Sequence, residues 1–235
     1  MPLIPLHDAN PRLYIRAHYV TIALVLLNAV IFVSALGLSE AQAYDAILRY
    51  AVIPARLFGE VDLPAGLAAV SAPVTLLSHQ FLHGGWEHLI FNMLFLWVFG
   101  DNIEDALGHL RFVVFFVVCG AAGGLAQSLV DPGSTTPVIG ASGSISGVLG
   151  AYLLLYPRAR LLVLLFAFIP LRLPALLVIG TFFAQDVLWA ATSSPAALSV
   201  AVWAHISGFL TGALLIVFMR NKQVVLWHRP SDPWG

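Results

Sequence analysis

The chain has 235 residues, of which 60% are hydrophobic and only 10% are charged, and its mean hydropathy is +0.90. A soluble domain is about half apolar and about a quarter charged, so this composition excludes an ordinary soluble protein and indicates a lipid bilayer as solvent. The net charge of −1 gives no reason to expect a nucleic acid as a partner. The single cysteine, Cys119, cannot form an internal disulfide and is interpreted as a small buried hydrophobe.

Windows poor in charge predict an all-α polytopic membrane protein with six spans. The predicted spans are residues 19–38, 75–100, 112–130, 142–156, 174–191 and 198–219. The first apolar run is long enough to span, so no cleavable signal peptide is expected. Residues 1–18 and 220–235 are expected to form short tails around one six-helix domain, residues 19–219, whose long outer loop covers about 39–72.

The distribution of Lys and Arg predicts the orientation. Six spans place both termini on one side of the membrane, and most of the basic residues fall on that side. They are Arg12, Arg16, Arg111, Arg158, Arg160, Arg172, Arg220, Lys222 and Arg229. Arg49 and Arg56 fall on the opposite side. Because cytoplasmic loops carry the excess of basic residues, both termini are predicted to be cytoplasmic, and we expect a multi-pass protein of a bacterial plasma membrane.

A few polar side chains lie inside the predicted spans. An ionisable group at mid-depth costs about 2–3 kcal/mol, and such residues are usually kept for function. The set is His88, Asn92, Ser142, Asp186 and His205.

The segment Gly140-Ala141-Ser142-Gly143 places a serine at the start of the fourth predicted helix. The free N–H groups and the positive end of the helix dipole at such a position can bind a developing oxyanion. The alternative is that Ser142 is only an N-cap residue. The Gly-x-Ser-x-Gly elbow of lipases does not occur around Ser142.

His205 lies in the otherwise uncharged sixth span, where it is either a base or a structural histidine. Gly208 and Gly212 follow it with small-xxx-small spacing, and Gly143 and Gly147 repeat this spacing on span four. Such stripes allow two helices to approach closely. Spans four and six are therefore predicted to be in contact.

Helical rise predicts that the serine and the histidine lie at the same depth. Ser142 precedes Tyr156 by 14 residues, and His205 precedes Met219 by 14 residues, so each lies about 21 Å from the inner end of its span. Span four is then too short to cross the bilayer and must begin inside it. Non-helical backbone at that depth is tolerated where it lines a water-filled cavity, which a hydrolase needs.

His88 and Asn92 are four residues apart and share a helix face. Asn92 can donate a hydrogen bond to an oxyanion, and His88 can be a second donor. The alternative is that both side chains only bond to neighbouring helices.

His79 and His83 have the i, i+4 spacing of a zinc helix. Gln80 stands where such helices carry the glutamate base, so an intramembrane metalloprotease is disfavoured and no metal is expected. The simpler interpretation places both histidines at the wet mouth of the second span.

Together these motifs resemble the rhomboid family of intramembrane serine proteases, in the family's order and over essentially the whole chain. The matching segments are residues 83–86 (HGGW) with His88 and Asn92, residues 104–112 (EDALGHLRF), residues 140–143 (GASG) and residues 204–212 (AHISGFLTG).

The resemblance implies a rhomboid-like six-helix bundle with a short fourth helix, and a Ser142–His205 dyad without an acid. It implies that His88 and Asn92 complete the oxyanion hole, that no cofactor is needed, and that single-span substrates enter laterally past span five and the loop after it. Residues 104–112 would be a structural element at the inner surface.

Two departures from the family pattern stand out. Many relatives carry a tyrosine four residues after the nucleophile, stacked on the histidine, but this chain has Ser146 there. The outer loop also lacks a Trp-Arg pair found in some relatives. The orientation of His205 must then come from elsewhere; Asp186 is either its acid partner or, as we favour here, an interfacial residue at the end of span five.

The expected function is intramembrane serine endopeptidase activity through an acyl-enzyme on Ser142, with transmembrane proteins as substrates. The alternatives are a catalytically weak or inactive rhomboid-like protein that binds membrane clients, and a small transporter, for which a broken helix and buried histidines are also typical.

Overall fold

The computed structural model describes residues 3–63, 66–67, 70–193 and 200–228. In chain order, its helices are α1 (Tyr19–Ala35), α2 (Glu40–Tyr50), α3 (Pro54–Leu57), α4 (Ala72–Ser78), α5 (Trp86–Leu107), α6 (His109–Val130), α7 (Ser142–Leu155), α8 (Ala175–Thr192) and α9 (Val202–Met219). Its strands are β1 (Leu3–Asp8), β2 (Arg160–Leu165) and β3 (Ile169–Pro174).

Three helices of the described residues, α6, α8 and α9, are long and apolar enough to cross a membrane. Two shorter apolar helices, α1 and α7, accompany them. Helix α5 is as long as α6, but its 22 residues include Glu87, Asp101, Glu104 and Asp105. The long apolar helices indicate an integral membrane protein, and the count of six spans stays a prediction.

The prediction of one continuous second span over residues 75–100 is wrong. Helix α4 ends at Ser78, a 3₁₀ helix covers His79–Phe81, and α5 begins only at Trp86. Gly84 and Gly85 lie in the break, where their low helix propensity favours an interruption. The predicted start of span six at Leu198 lies outside the described residues, as do residues 229–235 of the C-terminal tail.

The fold is mostly helical, as predicted. It is not all-α, however, because β1, β2 and β3 form an antiparallel sheet in that order. Strand β1 comes from the predicted N-terminal tail, and the β2–β3 hairpin comes from the predicted loop between spans four and five. Leu161 and Val163 of β2 are buried, with the period of two expected for a strand. Phe166 and Ala167 take positive φ values in the hairpin turn. Neither is one of the residues that usually mark such turns, so the sequence carries no hairpin signal.

Glycines bring α7 and α9 into backbone contact, as their spacing predicts. A Cβ added at Gly208 would clash with the carbonyl group of Gly143, and one added at Gly212 would clash with that of Gly147. Helix α6 also approaches α9 closely, since a Cβ at Gly123 would lie 2.9 Å from a backbone oxygen of α9. The first turn of α7 is therefore held against α9 with no space for side chains.

The C-terminal end of α5 is anchored to the N-terminal segment through two buried acids. The carboxylate of Glu104 is fully buried and accepts hydrogen bonds from the backbone of Val20 and Thr21, at 3.0 and 2.8 Å. The Thr21 hydroxyl and His109 Nδ1 also donate to it, at 2.7 and 2.6 Å. Asp105 accepts from three successive backbone N–H groups, residues 13–15, at 2.7–2.8 Å.

The described N- and C-terminal segments meet at this same end of the bundle. Asn221, just after α9, donates its backbone N–H to the carbonyl of Ala106 at 2.8 Å. Asp105, which binds the N-terminal residues 13–15, directly precedes Ala106 in α5. An even number of spans requires this shared end.

Asp8 of β1 lies in a buried polar network at this end, outside the spans. Its Oδ2 accepts from the hydroxyl of Tyr152 at 2.8 Å and from Nδ2 of Asn102 at 3.0 Å. Asn10 in turn donates to the Tyr152 hydroxyl at 2.7 Å. Burial raises the pKa of Asp8 from 3.8 to about 7, against the opposing effect of the Tyr152 hydrogen bond.

This pKa predicts a pH dependence of stability that Asp8→Asn removes. The unfolded chain has an Asp pKa of about 3.9, so the folded state holds the Asp8 proton more tightly. The resulting stabilisation is complete below about pH 4 and is lost as the pH rises through about 7. Relative to Asp8→Asn, a neutral isostere, the wild-type free energy of unfolding should fall by about 2–4 kcal/mol over this range. Equilibrium unfolding in mixed detergent micelles measures the difference, and a difference independent of pH would contradict the prediction.

Candidate active site

A cavity of about 750 Å³ opens between α5, the loop before α7, and α9. The four residues predicted for the site, His88, Asn92, Ser142 and His205, all line it. Its other polar lining residues are Glu87, Gln127, Asp131, Ser134 and Thr136. The structure therefore brings the separate sequence motifs to one cavity.

Ser142 and His205 are in hydrogen-bond contact. Ser142 Oγ lies 2.9 Å from Nε2 of His205, although 63 residues separate them along the chain. Ser142 is the first helical residue of α7, and Ala141 occupies the N-cap position. Ser142 is therefore not the N-cap, and its hydroxyl is directed at the histidine. The N–H groups of the first turn have no partner within the helix.

Asp186 is the second partner of His205. Its Oδ2 lies 3.2 Å from Nδ1 of His205, and the two side chains are only 18% and 15% exposed. The structure thus favours the other alternative, in which Asp186 is the partner of His205, and Asp186 contacts this histidine, on which a tyrosine stacks in many relatives. The signal in the sequence was a charged residue within an apolar span, but the pairing depends on how α8 and α9 are aligned.

His88 and Asn92 lie beside the loop that leads to the serine. Gly140 has a φ of +115°, and a Cβ at this position would lie 2.6 Å from Nε2 of His88 and 3.7 Å from Nδ2 of Asn92. Only glycine allows the loop to pass this close. Asn92 Nδ2 also donates to Nε2 of His83 at 3.0 Å, which leaves its second N–H for another acceptor.

The placement predicted for His79 at a wet mouth is wrong. Its side chain is only 2% exposed and packs against Gly124 of α6, where an added Cβ would lie 2.8 Å from Nε2. The break after α4 turns this histidine inward. His83 instead contacts Asn92, as described above. Within the described ranges, no group of three or more His, Cys, Asp or Glu side chains is arranged to hold a metal ion.

A buried polar contact missing from the sequence interpretation supports the start of α7. Ser144 Oγ donates to Oε1 of Gln80 at 2.9 Å, and both side chains are fully buried. Gln80 Nε2 donates to the carbonyls of Leu76 and Val117, at 2.9 and 3.2 Å. Gln80 thus joins α4, α6 and α7, which explains a glutamine in the middle of the apparent zinc spacing.

Comparison with known proteins agrees with this architecture. The family model described as the rhomboid domain matches residues 71–222, more than half of the chain. Rhomboid protease GluP of Bacillus subtilis is 41% identical over 78 residues, which is 33% of this chain and 15% of that protein. Rhomboid protein 1, mitochondrial, of Saccharomyces cerevisiae is 33% identical over 101 residues, 41% of this chain and 29% of that protein.

A longer alignment is found with the presenilin-associated rhomboid-like protein, mitochondrial, of Mus musculus. It is 29% identical over 168 residues, 65% of this chain and 42% of that protein. The chain thus spans less than half the length of each of these relatives. The matched domain nevertheless contains all of the cavity residues from His88 to His205, and the chain belongs to the rhomboid family.

Proposed function

We propose that the chain is an intramembrane serine endopeptidase that cleaves transmembrane segments of other membrane proteins. The observation that carries this proposal is the 2.9 Å contact between Ser142 Oγ and His205 Nε2 in the wall of a large cavity. A serine hydroxyl becomes an effective nucleophile when an adjacent base can take its proton. A structural role alone gives no reason for this pair to face a cavity.

The reaction follows from these positions. As Ser142 Oγ bonds to a peptide carbonyl carbon, its proton moves to Nε2 of His205. When the tetrahedral intermediate collapses, the C–N bond breaks and His205 returns the proton to the leaving amine. A water molecule from the cavity then attacks the acyl carbon and gives its proton to His205. As the second tetrahedral intermediate collapses, the bond between the acyl carbon and Ser142 Oγ breaks and His205 returns the proton to Oγ, which releases the acid product and restores the enzyme.

The oxyanion of the intermediate requires donors that are already in place. The first-turn N–H groups of α7, Nδ2 of Asn92 and a ring N–H of His88 are the groups beside the Gly140 loop that fit this role. Donors fixed in this way stabilise the transition state more than the substrate. His88 and Asn92 are therefore proposed as oxyanion residues.

Asn92→Ala is predicted to lower kcat by about 10²–10³-fold, the usual cost of losing one oxyanion donor, with a small change in KM. Asn28→Ala is the matched control, because Asn28 is also a buried amide in a membrane helix and donates to the carbonyl of Leu24 within α1. Steady-state cleavage of a reporter in proteoliposomes measures both variants. Equal kcat in wild type and Asn92→Ala would remove Asn92 from the mechanism.

We further propose six spans, cytoplasmic termini and a cavity that opens toward the outer side of a bacterial plasma membrane. The distribution of basic residues supports the orientation, and the shared end of the terminal segments supports an even number of spans. The proposed partners are single-span membrane proteins, and the proposed reaction uses no metal or cofactor.

The proposal is tested by reconstituting wild type and Ser142→Ala with a reporter whose single transmembrane helix contains small and helix-breaking residues. Wild type should cleave it with or without a metal chelator, and Ser142→Ala should not. Cleavage by Ser142→Ala would refute the serine mechanism, and inhibition by the chelator would favour a metal enzyme. If wild type binds the reporter without cleaving it, the chain is a rhomboid-like protein that binds clients.

A further inference from the structure

We infer that Asp186 is a positioning residue that completes a Ser142–His205–Asp186 triad in place of a serine–histidine dyad. This inference rests on the proposed function, since it gives Asp186 a role in the same reaction. It differs from what the sequence resemblance implies, which is a dyad without an acid.

The contacts of His205 define the triad. Its Nε2 lies 2.9 Å from Ser142 Oγ and its Nδ1 lies 3.2 Å from Asp186 Oδ2, so the imidazole bridges the two side chains. A carboxylate accepts hydrogen bonds and donates none. Nδ1 must therefore carry a proton, and in the neutral ring Nε2 is the free acceptor that faces the serine. Asp186 thus selects the tautomer that can act as a base.

Helix packing holds Asp186 at this place. Phe183, one turn before Asp186 on α8, stacks on Phe209, one turn after His205 on α9, with ring centroids 4.2 Å apart and planes at 24°. Residues three or four apart share a helix face, so the stack and the Asp186–His205 contact belong to the same pair of faces. The antiparallel alignment of α8 and α9 therefore fixes the acid opposite the imidazole.

The surroundings strengthen the effect of the carboxylate. With exposures of 18% and 15%, the Asp186 and His205 side chains are largely removed from water, which would otherwise screen their interaction. When His205 takes the serine proton, the imidazolium forms beside a negative charge that is already in place. Glu87 and Asp131 also line the cavity, but within the described residues the structure gives His205 side-chain hydrogen bonds to Ser142 and Asp186 alone.

The decisive substitution is Asp186→Asn, which keeps the size of the side chain and removes its charge. An amide can donate to Nδ1 and so favour the wrong tautomer. The wrong tautomer lowers the kcat of a soluble serine protease about 10⁴-fold. Because Asp186 is partly exposed, we expect kcat to fall at least about tenfold here, at an unchanged KM. Gln185→Ala, at the adjacent polar position of α8, is the control and should keep the wild-type kcat.

A second measurement reports the tautomer of the His205 imidazole. In ¹⁵N-histidine spectra of the detergent-solubilised full chain, His205 is assigned by the signal missing from His205→Ala. Wild type should show the Nδ1–H tautomer, and Asp186→Asn should shift the population toward Nε2–H. A mere tether between α8 and α9 would leave the tautomer unchanged.

The two measurements separate this inference from the proposed function. If wild type cleaves through Ser142 but Asp186→Asn keeps both its kcat and its tautomer, the triad is refuted and the protease stands. Loss of kcat with an unchanged tautomer also refutes positioning by Asp186. If wild type does not cleave at all, the proposed function fails, and the tautomer still decides whether Asp186 orients His205. Should Asp186→Asn fail to fold, a wild-type Nε2–H tautomer alone would overturn the inference.

Discussion

Replacing His205 with alanine is expected to lower kcat/KM for a transmembrane substrate at least about 10³-fold, because the loss of the base of a serine–histidine pair costs about as much as the loss of the whole pair. In the wild type the Ser142 hydroxyl lies 2.9 Å from Nε2 of His205. In the variant this hydroxyl would keep its proton at neutral pH. The variant should still fold, since the histidine is only partly buried at the edge of the cavity. Cleavage of a single-span reporter in proteoliposomes measures the loss.

His7→Ala is the control for this experiment. His7 is an exposed histidine of β1, in the three-stranded sheet. Its replacement should leave cleavage unchanged within about twofold, as expected for a surface substitution. Activity of His205→Ala within tenfold of wild type would remove His205 as the base.

The second large effect is expected for Gly208→Ala, which should displace Ser142 from His205 by disturbing the contact between α7 and α9. The added methyl group would clash with the backbone of Gly143, directly after the nucleophile. Helices α7 and α9 must then separate, and a displacement of about 1 Å between catalytic groups can lower the rate about 10²-fold. The same overpacking should lower the free energy of unfolding by about 1–3 kcal/mol.

Gly180→Ala is the matched control, because among the described residues nothing lies within 4 Å of a Cβ at Gly180 of α8. This variant should keep its activity and should be as stable as wild type or slightly more so, since alanine is the better helix former. Unfolding in mixed micelles and reporter cleavage test both variants. Wild-type stability and activity in Gly208→Ala would contradict the close contact of α7 with α9.

Much of the site could be predicted from the sequence because the signals that mark its residues lie in short segments of the chain. A serine at a helix start and a histidine in an apolar span are each visible as single residues out of place. The glycines at positions 143, 147, 208 and 212 then indicated that the two helices touch, and equal distances to the inner surface indicated a common depth. The structure places Ser142 and His205 in direct contact.

The parts that were missed depend on contacts between distant segments. The Asp186–His205 pair follows from the register of α8 against α9, which the Phe183–Phe209 stack fixes and no local pattern shows. His79 is buried because Gly124 of another helix leaves room for its ring.

The sheet was missed for a related reason. Strands β2 and β3 lie in a short apolar segment that is predicted from the sequence to be the loop between spans four and five. Their hairpin turn has Phe166 and Ala167 at positive φ, and neither residue type indicates such a turn. Strand β1 pairs with β2 across more than 150 residues of chain, from Leu3 to Leu165. Pairing over such a distance leaves no trace in the amino-acid pattern of β1 itself.

The most direct test of the central claim is covalent labelling of the reconstituted full chain with a fluorophosphonate, followed by mass spectrometry of the modified peptide. Ser144 and Ser146 lie two and four residues after Ser142 in the same helix and are internal controls. The structure predicts one phosphonylated residue, Ser142, and loss of labelling in His205→Ala. A label on Ser144, Ser146 or any other residue, or equal labelling of Ser142 in the absence of His205, would contradict the assignment of Ser142 as a nucleophile activated by His205.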